Sequence, residues 1–389
     1  MPLGLYLAVP FCRSKCSFCN FASQVHSRGQ IEEYARLLER ELALAAGRDD
    51  GELAGAAVDT LYWGGGTPSL LPPELLAAVA AAARQHFEIL PGVEHTLEAA
   101  PGTLAPAWLE AAVAAGANRL SLGVQSFHDA EARAVGRLHD RATVLADLER
   151  ARSFGFSNLN LDLIAGLPHQ TMASWRDSVE TAIATQVPHL SIYMLEVDHD
   201  SRLGHELLAG GARYHAHAAP DEDFTADAYE WACERLEAAG LRQYEISNFA
   251  RPGSESRHNE RYWLRQPYLG VGLDAHSFLD RPRPHRFANP DELSLYLDEL
   301  RAGRLPRRQP EWLSALQQQE EACFLGLRRR EGIVWRAPAC APDPVPGLVA
   351  DGLLVHHAGR IALTPRGRLL SNRVFAEFLG LPAAAGALS

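Results

Sequence analysis

The sequence is expected to fold as an α/β protein: a partial (β/α)6 barrel followed by a smaller α+β domain. Three observations lead there. Apolar strand-like runs alternate with helix-period segments six times before residue 200. Cys12, Gly65, Glu98, Gln125 and Asp162 each fall at or near the C-terminal end of a different expected strand. A switch-point crevice in an open sheet gathers two or three such ends, whereas a barrel brings all of them to one rim. Past residue 305 the alternation stops and a different pattern begins.

In chain order, residues 3–9 read as a short buried strand stopped by Pro10, and 31–46 as a helix with Tyr34, Leu37, Leu38, Leu42 and Ala45 on one face. Strand two (58–63) runs into Gly64-Gly65-Gly66-Thr67-Pro68, and a helix over 72–87 follows. Strand three is expected at 95–99 with its helix at 106–115, strand four at 118–125 with helices to 154, strand five at 158–164, a helix over 175–185, and strand six at 189–196. Beyond a hinge at 303–310, a helix over 312–327, a strand-like pair around His357-Ala358-Gly359-Arg360 and a helical end to 378 make a compact second unit. The domains are thus placed at 1–304 and 305–389.

Three of the six cysteines lie within eight residues, Cys12, Cys16 and Cys19, in a C-x3-C-x2-C spacing; Cys233, Cys323 and Cys340 are scattered. An odd number with no signal peptide argues against disulfides. Structural zinc wants four ligands, usually from paired knuckles; His26 is near, but no second knuckle exists. A 4Fe-4S cluster held by three cysteines keeps one iron open for a small molecule. The glycine run lacks the Lys-Ser or Lys-Thr of a phosphate loop, and its bare backbone suits close approach to a ligand or merely a turn. Glu98, Gln125, Arg137 and Asp162 are polar candidates on the same rim. Carboxylates suit ammonium and ribose hydroxyls, and an arginine fork suits a carboxylate.

A net charge of −11 across 389 residues argues against a broad nucleic-acid surface, and Arg328-Arg329-Arg330 reads as a solvated helix end. No apolar run is long enough to span a bilayer. The expected compartment is the cytoplasm, with any membrane association running through partners.

The cysteine spacing, with Phe18 just before the third cysteine, resembles the radical SAM superfamily. That resemblance implies a 4Fe-4S cluster on Cys12, Cys16 and Cys19, with S-adenosylmethionine chelated at the open iron and cleaved by an electron from an external donor. Five blocks resemble the oxygen-independent coproporphyrinogen III dehydrogenase (HemN) family and its HemW relatives more closely. They are Phe11 to Phe21, Trp63 to Pro68, Glu98 with Pro101-Gly102-Thr103, Gly123 to Phe127, and Asp162 to Pro168. By this resemblance Tyr6, Phe18, Gly65, Gly66, Thr67, Glu98, Gln125, Arg137 and Asp162 contact S-adenosylmethionine, and the second unit is winged-helix-like.

Two departures set the chain apart from the dehydrogenase. Phe21 stands where that enzyme has a fourth motif cysteine, and the first cysteine at position 12 leaves no room for its pre-barrel segment. A positive signal is His258-Asn259-Glu260-Arg261-Tyr262-Trp263, similar to the H-N-x-x-Y-W signature of the HemW branch, whose members bind heme and pass it to respiratory proteins. The resemblance thus implies heme held at His258, heme-accepting respiratory proteins as partners, and a homodimer as a compatible assembly. A histidine next to Tyr and Trp also suits a filled core, and His215, His217 and His276 are rival ligands. The runner-up function is oxidative decarboxylation of coproporphyrinogen III.

Overall fold

The computed structural model describes residues 1–47, 53, 55–337 and 342–380; Cys340 lies outside them. The first half alternates β1 (Leu3–Val9), α1 (Arg28–Ala46), β2 (Ala57–Gly65), α2 (Pro73–His86), β3 (Glu88–Ala99), α3 (Pro106–Ala114) and β4 (Arg119–Gln125). It continues through α4 (Asp129–Ala134), α5 (Arg141–Ser153), β5 (Asn158–Ala165), α6 (Met172–Ala184) and β6 (His189–Met194). The six strands pair in parallel and in sequence order. Caps mark several helix starts. Ser27 and Gln30 form a reciprocal box at α1, and Thr171 with Ser174 does the same at α6.

The barrel stays open because β6 turns to an antiparallel neighbour instead of returning to β1. After α7 (Arg202–Leu208) and α8 (Glu222–Ala238), strands β7 (Arg242–Gln243) and β8 (Asn248–Ala250) extend the sheet beyond β6. Then α9 (Arg257–Trp263) leads to β9 (Tyr268–Val271), which joins the other edge in parallel with β1. Strands β10 (His276–Leu279) and β11 (His285–Ala288) follow antiparallel, then α10 (Leu293–Arg301) and β12 (Glu311–Trp312). Among the described residues the sheet therefore has twelve strands, six more than the alternation pattern suggested. The short additions carry too few residues to show a period of their own.

Period-two alternation sets the two faces of the barrel wall. In β5, Leu159, Leu161 and Leu163 enter the apolar layer under the helices. Asn160 and Asp162 point inward, where Asn160 Nδ2 donates to Ser121 Oγ and to Asp162, both at 2.8 Å. The interior is polar, and it holds the fully buried Arg119.

Residues past 312 build a second core of their own, around Leu327, Val345, Leu353, Ile361 and Val374. It comprises α11 (Ala315–Leu327), β13 (Ile333–Val334), α12 (Val345–Ala350), the hairpin β14 (Leu354–His357) and β15 (Arg360–Leu363), α13 (Pro365–Leu369) and α14 (Ser371–Ala376). Helices, a hairpin and a third short strand make the expected winged-helix-like arrangement. The expected helix from 312 begins later, at Ala315, because Ser314 and Gln317 form a capping box. Glu311 and Trp312 instead pair with the barrel's sheet, beyond the expected hinge.

The arginine run is not a solvated helix end. Arg328 pairs with the buried Glu245 at 3.2 Å and lies over the Trp263 ring, Arg329 reaches Glu260, and Arg330 reaches Glu237. These three side chains join the two units.

Helix α1 latches the outer strands to the barrel. Buried Glu41 accepts from the backbone N–H of Gly272, Asn289 Nδ2 and Tyr296 Oη at 2.6–2.9 Å. Beside it, Tyr34 Oη donates to the Ala8 carbonyl and accepts from Leu273 N–H. Glu41→Leu strands three buried donors at once and should cost about 3 kcal/mol or more. Urea denaturation of the purified variant measures the loss.

Candidate functional site

The C-terminal ends of the barrel strands enclose a cavity of about 720 Å³. Its lining includes Cys12, Cys16, Phe18, Cys19, Gly65, Gly66, Thr67, Glu98, Gln125, Arg137 and Asp162, which are eleven of the thirteen expected site residues. They lie 150 residues apart in sequence, and parallel strand order alone brings them to one rim.

The cysteine loop hangs from the end of β1 and is braced by its neighbours. Gly66 N–H donates to the Val9 carbonyl at 2.9 Å, and Cys12 N–H donates to Gln24 O at 3.0 Å. A β-carbon on Gly66 would fall 2.7 Å from the carbonyl oxygens of Val9 and Phe11, so no larger residue fits without moving the loop. Thr67 Oγ1 points at Cys12 Sγ (3.7 Å), and Arg137 Nη1 at Cys16 Sγ (3.5 Å). Burial pushes the Cys19 thiol up.

The three thiols share one cavity wall, with hydroxyl and guanidinium donors aimed at two of them. That donor set fits a sulfur-rich cluster with three protein ligands and one free metal position. Of the described residues, His26 is not among those lining the cavity; it packs its ring edge-on against Phe11.

The opposite wall carries the carboxylates. Glu98 accepts from Tyr62 Oη at 2.7 Å, and Asp162 from Asn160 and Ser121. Burial raises both; Glu98 reaches about 7, with the nearby Asp162 adding to the rise and the Tyr62 hydroxyl opposing it. Gln125 closes the end of β4 in the left-handed region (φ 69°), at a register shift against β5. Its buried Oε1 has no partner, and neither has the buried Nε of Arg137. Unpartnered polar atoms at a cavity wall are what a polar ligand would satisfy.

Two expected residues lie elsewhere. Tyr6 stands a layer beneath the cavity, its hydroxyl 3.0 Å from where a β-carbon on Gly64 would sit, and its ring stacks on Tyr62. His258 lies in α9 at the N-terminal end of the barrel, remote from the cysteine rim, with 0% exposure. Its Nδ1 is 2.9 Å from Thr60 Oγ1 and its Nε2 2.9 Å from Tyr262 Oη, so both ring nitrogens are used. Burial, with Arg261 and Arg119 adding, lowers it to about 3. The placement expected from the resemblance, heme on His258, meets a filled core instead. In this arrangement His258 has no free nitrogen to offer an iron.

The cavity also uses residues that sequence reasoning passed over. Tyr62, Ser121 and Tyr193 all sit on inward-facing strand positions, one period-two step from residues that were singled out. That alternation was the available signal.

Residues 6–182 match the model of the radical SAM superfamily. The heme chaperone HemW of Mycobacterium tuberculosis is 36% identical over 383 residues, spanning 97% of this chain and 95% of that one. The Bacillus subtilis heme chaperone HemW is 33% identical over 388 residues, with 96% and 98% covered. Among solved structures, the coproporphyrinogen III oxidase HemN of Escherichia coli superposes with a TM-score of 0.81 across 97% of this chain and 90% of that one. At 24% identity, that likeness speaks for the fold.

The raised Glu98 has a consequence for stability. Its folded form favours the proton, so it contributes most at acid pH, and the contribution is lost as pH climbs from 4.5 to about 7. Glu98→Gln should therefore raise Tm above wild type at about pH 8 and by much less at about pH 5.5. Differential scanning calorimetry of the apoprotein at both pH values reads the difference.

Proposed function

Because the chain belongs to the HemW family of the radical SAM superfamily, we propose that it is a heme chaperone. On this reading it binds a 4Fe-4S cluster, S-adenosylmethionine and heme, and delivers heme to respiratory proteins. The observation that carries the reading is the single cavity wall shared by Cys12, Cys16 and Cys19, with Phe21 in place of a fourth motif cysteine. Phe21 is 59% exposed at the cavity's edge and offers no thiol.

Cys12, Cys16 and Cys19 would hold the cluster, which supplies one-electron chemistry at an iron free of protein ligands. Glu98 and Asp162, once ionised, would take the ammonium and ribose hydroxyls of S-adenosylmethionine. Arg137, fixed against Gly123 O and Cys16, would lend positive charge beside its carboxylate and the cluster sulfurs. Gly65 and Gly66 would admit the methionyl backbone without a side chain in the way. Tyr6 supports this wall from below rather than touching the ligand. An external electron donor and heme-accepting respiratory proteins are the partners implied. Among the described residues no helix is long and apolar enough to cross a membrane. The cytoplasm is the compartment proposed, with assembly as a homodimer compatible with the reading.

The second reading is oxidative decarboxylation of coproporphyrinogen III, favoured by the HemN-like fold. Anaerobic reconstitution, assayed in parallel for heme uptake and for coproporphyrinogen III conversion, separates the two. Stoichiometric heme uptake without product supports the chaperone; turnover overturns it. In the same preparation Cys16→Ser should lose the cluster's visible absorbance while keeping the wild-type far-ultraviolet circular dichroism.

A further inference from the structure

We propose that heme iron is ligated by His215 at the barrel mouth, oriented by His169, and not by the buried His258. The inference rests on the heme-binding part of the proposed function and assigns its site. His258 cannot serve without breaking its bonds to Thr60 and Tyr262 and opening the barrel floor. An iron ligand must instead be an accessible imidazole with a free nitrogen, a neighbour that fixes its tautomer, and a flat apolar surface alongside.

The segment Arg213–Ala218, which follows α7 on the same rim as the cysteine loop, meets all three conditions. His169 Nε2 lies 3.2 Å from His215 Nδ1, and both rings are exposed. With the proton on His215 Nδ1 donated to His169, the lone pair sits on His215 Nε2, to which no described residue bonds. A metal-ligating histidine commonly donates its other ring N–H to a fixed acceptor, and this pair reproduces that arrangement.

The backbone here is held in an uncommon state. His169, Tyr214 and His215 all lie in the left-handed region (φ 68°, 54° and 59°), which costs free energy for residues of this kind. His169 N–H is nevertheless pinned to the Ala218 carbonyl at 2.8 Å, and Ala216 is buried beneath the histidines. Ala216 belongs to the apolar cluster that packs Phe18 and Ile164, two residues of the cavity wall, so the site adjoins the cavity. Around it Tyr214 (37% exposed) and Leu208 (51%) offer an apolar face. Arg202, over the Tyr214 ring, and the exposed Arg213 supply positive charge suited to propionates.

The test is a hemin titration of full-length protein, wild type and variants, followed by the Soret band and by electron paramagnetic resonance of the ferric complex. His215→Asn keeps a side chain that tolerates positive φ while removing the ligand. It should shift the Soret band and weaken affinity well beyond tenfold, with cluster absorbance unchanged. His169→Asn should weaken affinity by about tenfold through lost orientation. His258→Gln should leave the hemin spectrum as in wild type; should it fail to fold, the His215→Asn result decides alone. Wild-type spectrum and affinity in His215→Asn would overturn the assignment while the chaperone reading stands. No hemin binding by the wild type would overturn both.

Discussion

One backbone contact organises the molecule's business end. Gly66 N–H meets the Val9 carbonyl at the point where β1 and β2 end in register, Val9 opposite Gly65. The cysteine loop leaves β1 there, and the glycine run leaves β2 there. Because Gly66 has no side chain, the two loops close to within hydrogen-bond distance, and Thr67 is carried to Cys12. Every later feature of the site is measured from this junction, since β3, β4 and β5 add their ends in the same direction.

The interior beneath that rim is a polar column rather than the aliphatic filling usual in closed barrels. Arg119 lies buried within electrostatic reach of Glu98 and Asp162, and it offsets part of the rise that burial imposes on them. Below the carboxylates an aromatic stack runs from Tyr62 to His258 (centroids 5.2 Å apart) and on to Tyr262 and Tyr268. The H-N-x-x-Y-W segment is the floor of this column. Glu94 receives the N–H groups of Arg257 and His258, and Arg261 reaches the carbonyls of Pro2 and Pro267. An open barrel with polar contents needs such a plug, since water entering from below would weaken every interaction in the column.

The two units are joined through charge and aromatic contacts at the same plug. Trp263, the last residue of the motif helix, carries the Arg328 guanidinium on its ring at 4.3 Å, and Arg265 pairs with the buried Glu321. An arginine run that looks like surface decoration in the sequence is thus a joint, because its partners Glu237, Glu245 and Glu260 lie about 70 to 90 residues earlier.

What the sequence determined by itself was local or periodic. The six-fold alternation set the barrel, the C-x3-C-x2-C spacing set the cluster loop, and strand ends placed Glu98, Gln125, Arg137 and Asp162 together. These are signals a short window carries, because a parallel strand's end and a loop's cysteines follow from chain direction alone. The tertiary structure decided which polar residues face the cavity and which are buried under it. Tyr6 and His258 share motifs with true lining residues, yet strand alternation and the docking of α9 put them in the floor. Likewise His169 and His215, 46 positions apart, meet only because the Arg213–Ala218 segment folds back onto the rim. Burial and long-range contact depend on how elements pack, and no window of sequence contains the partner that completes them.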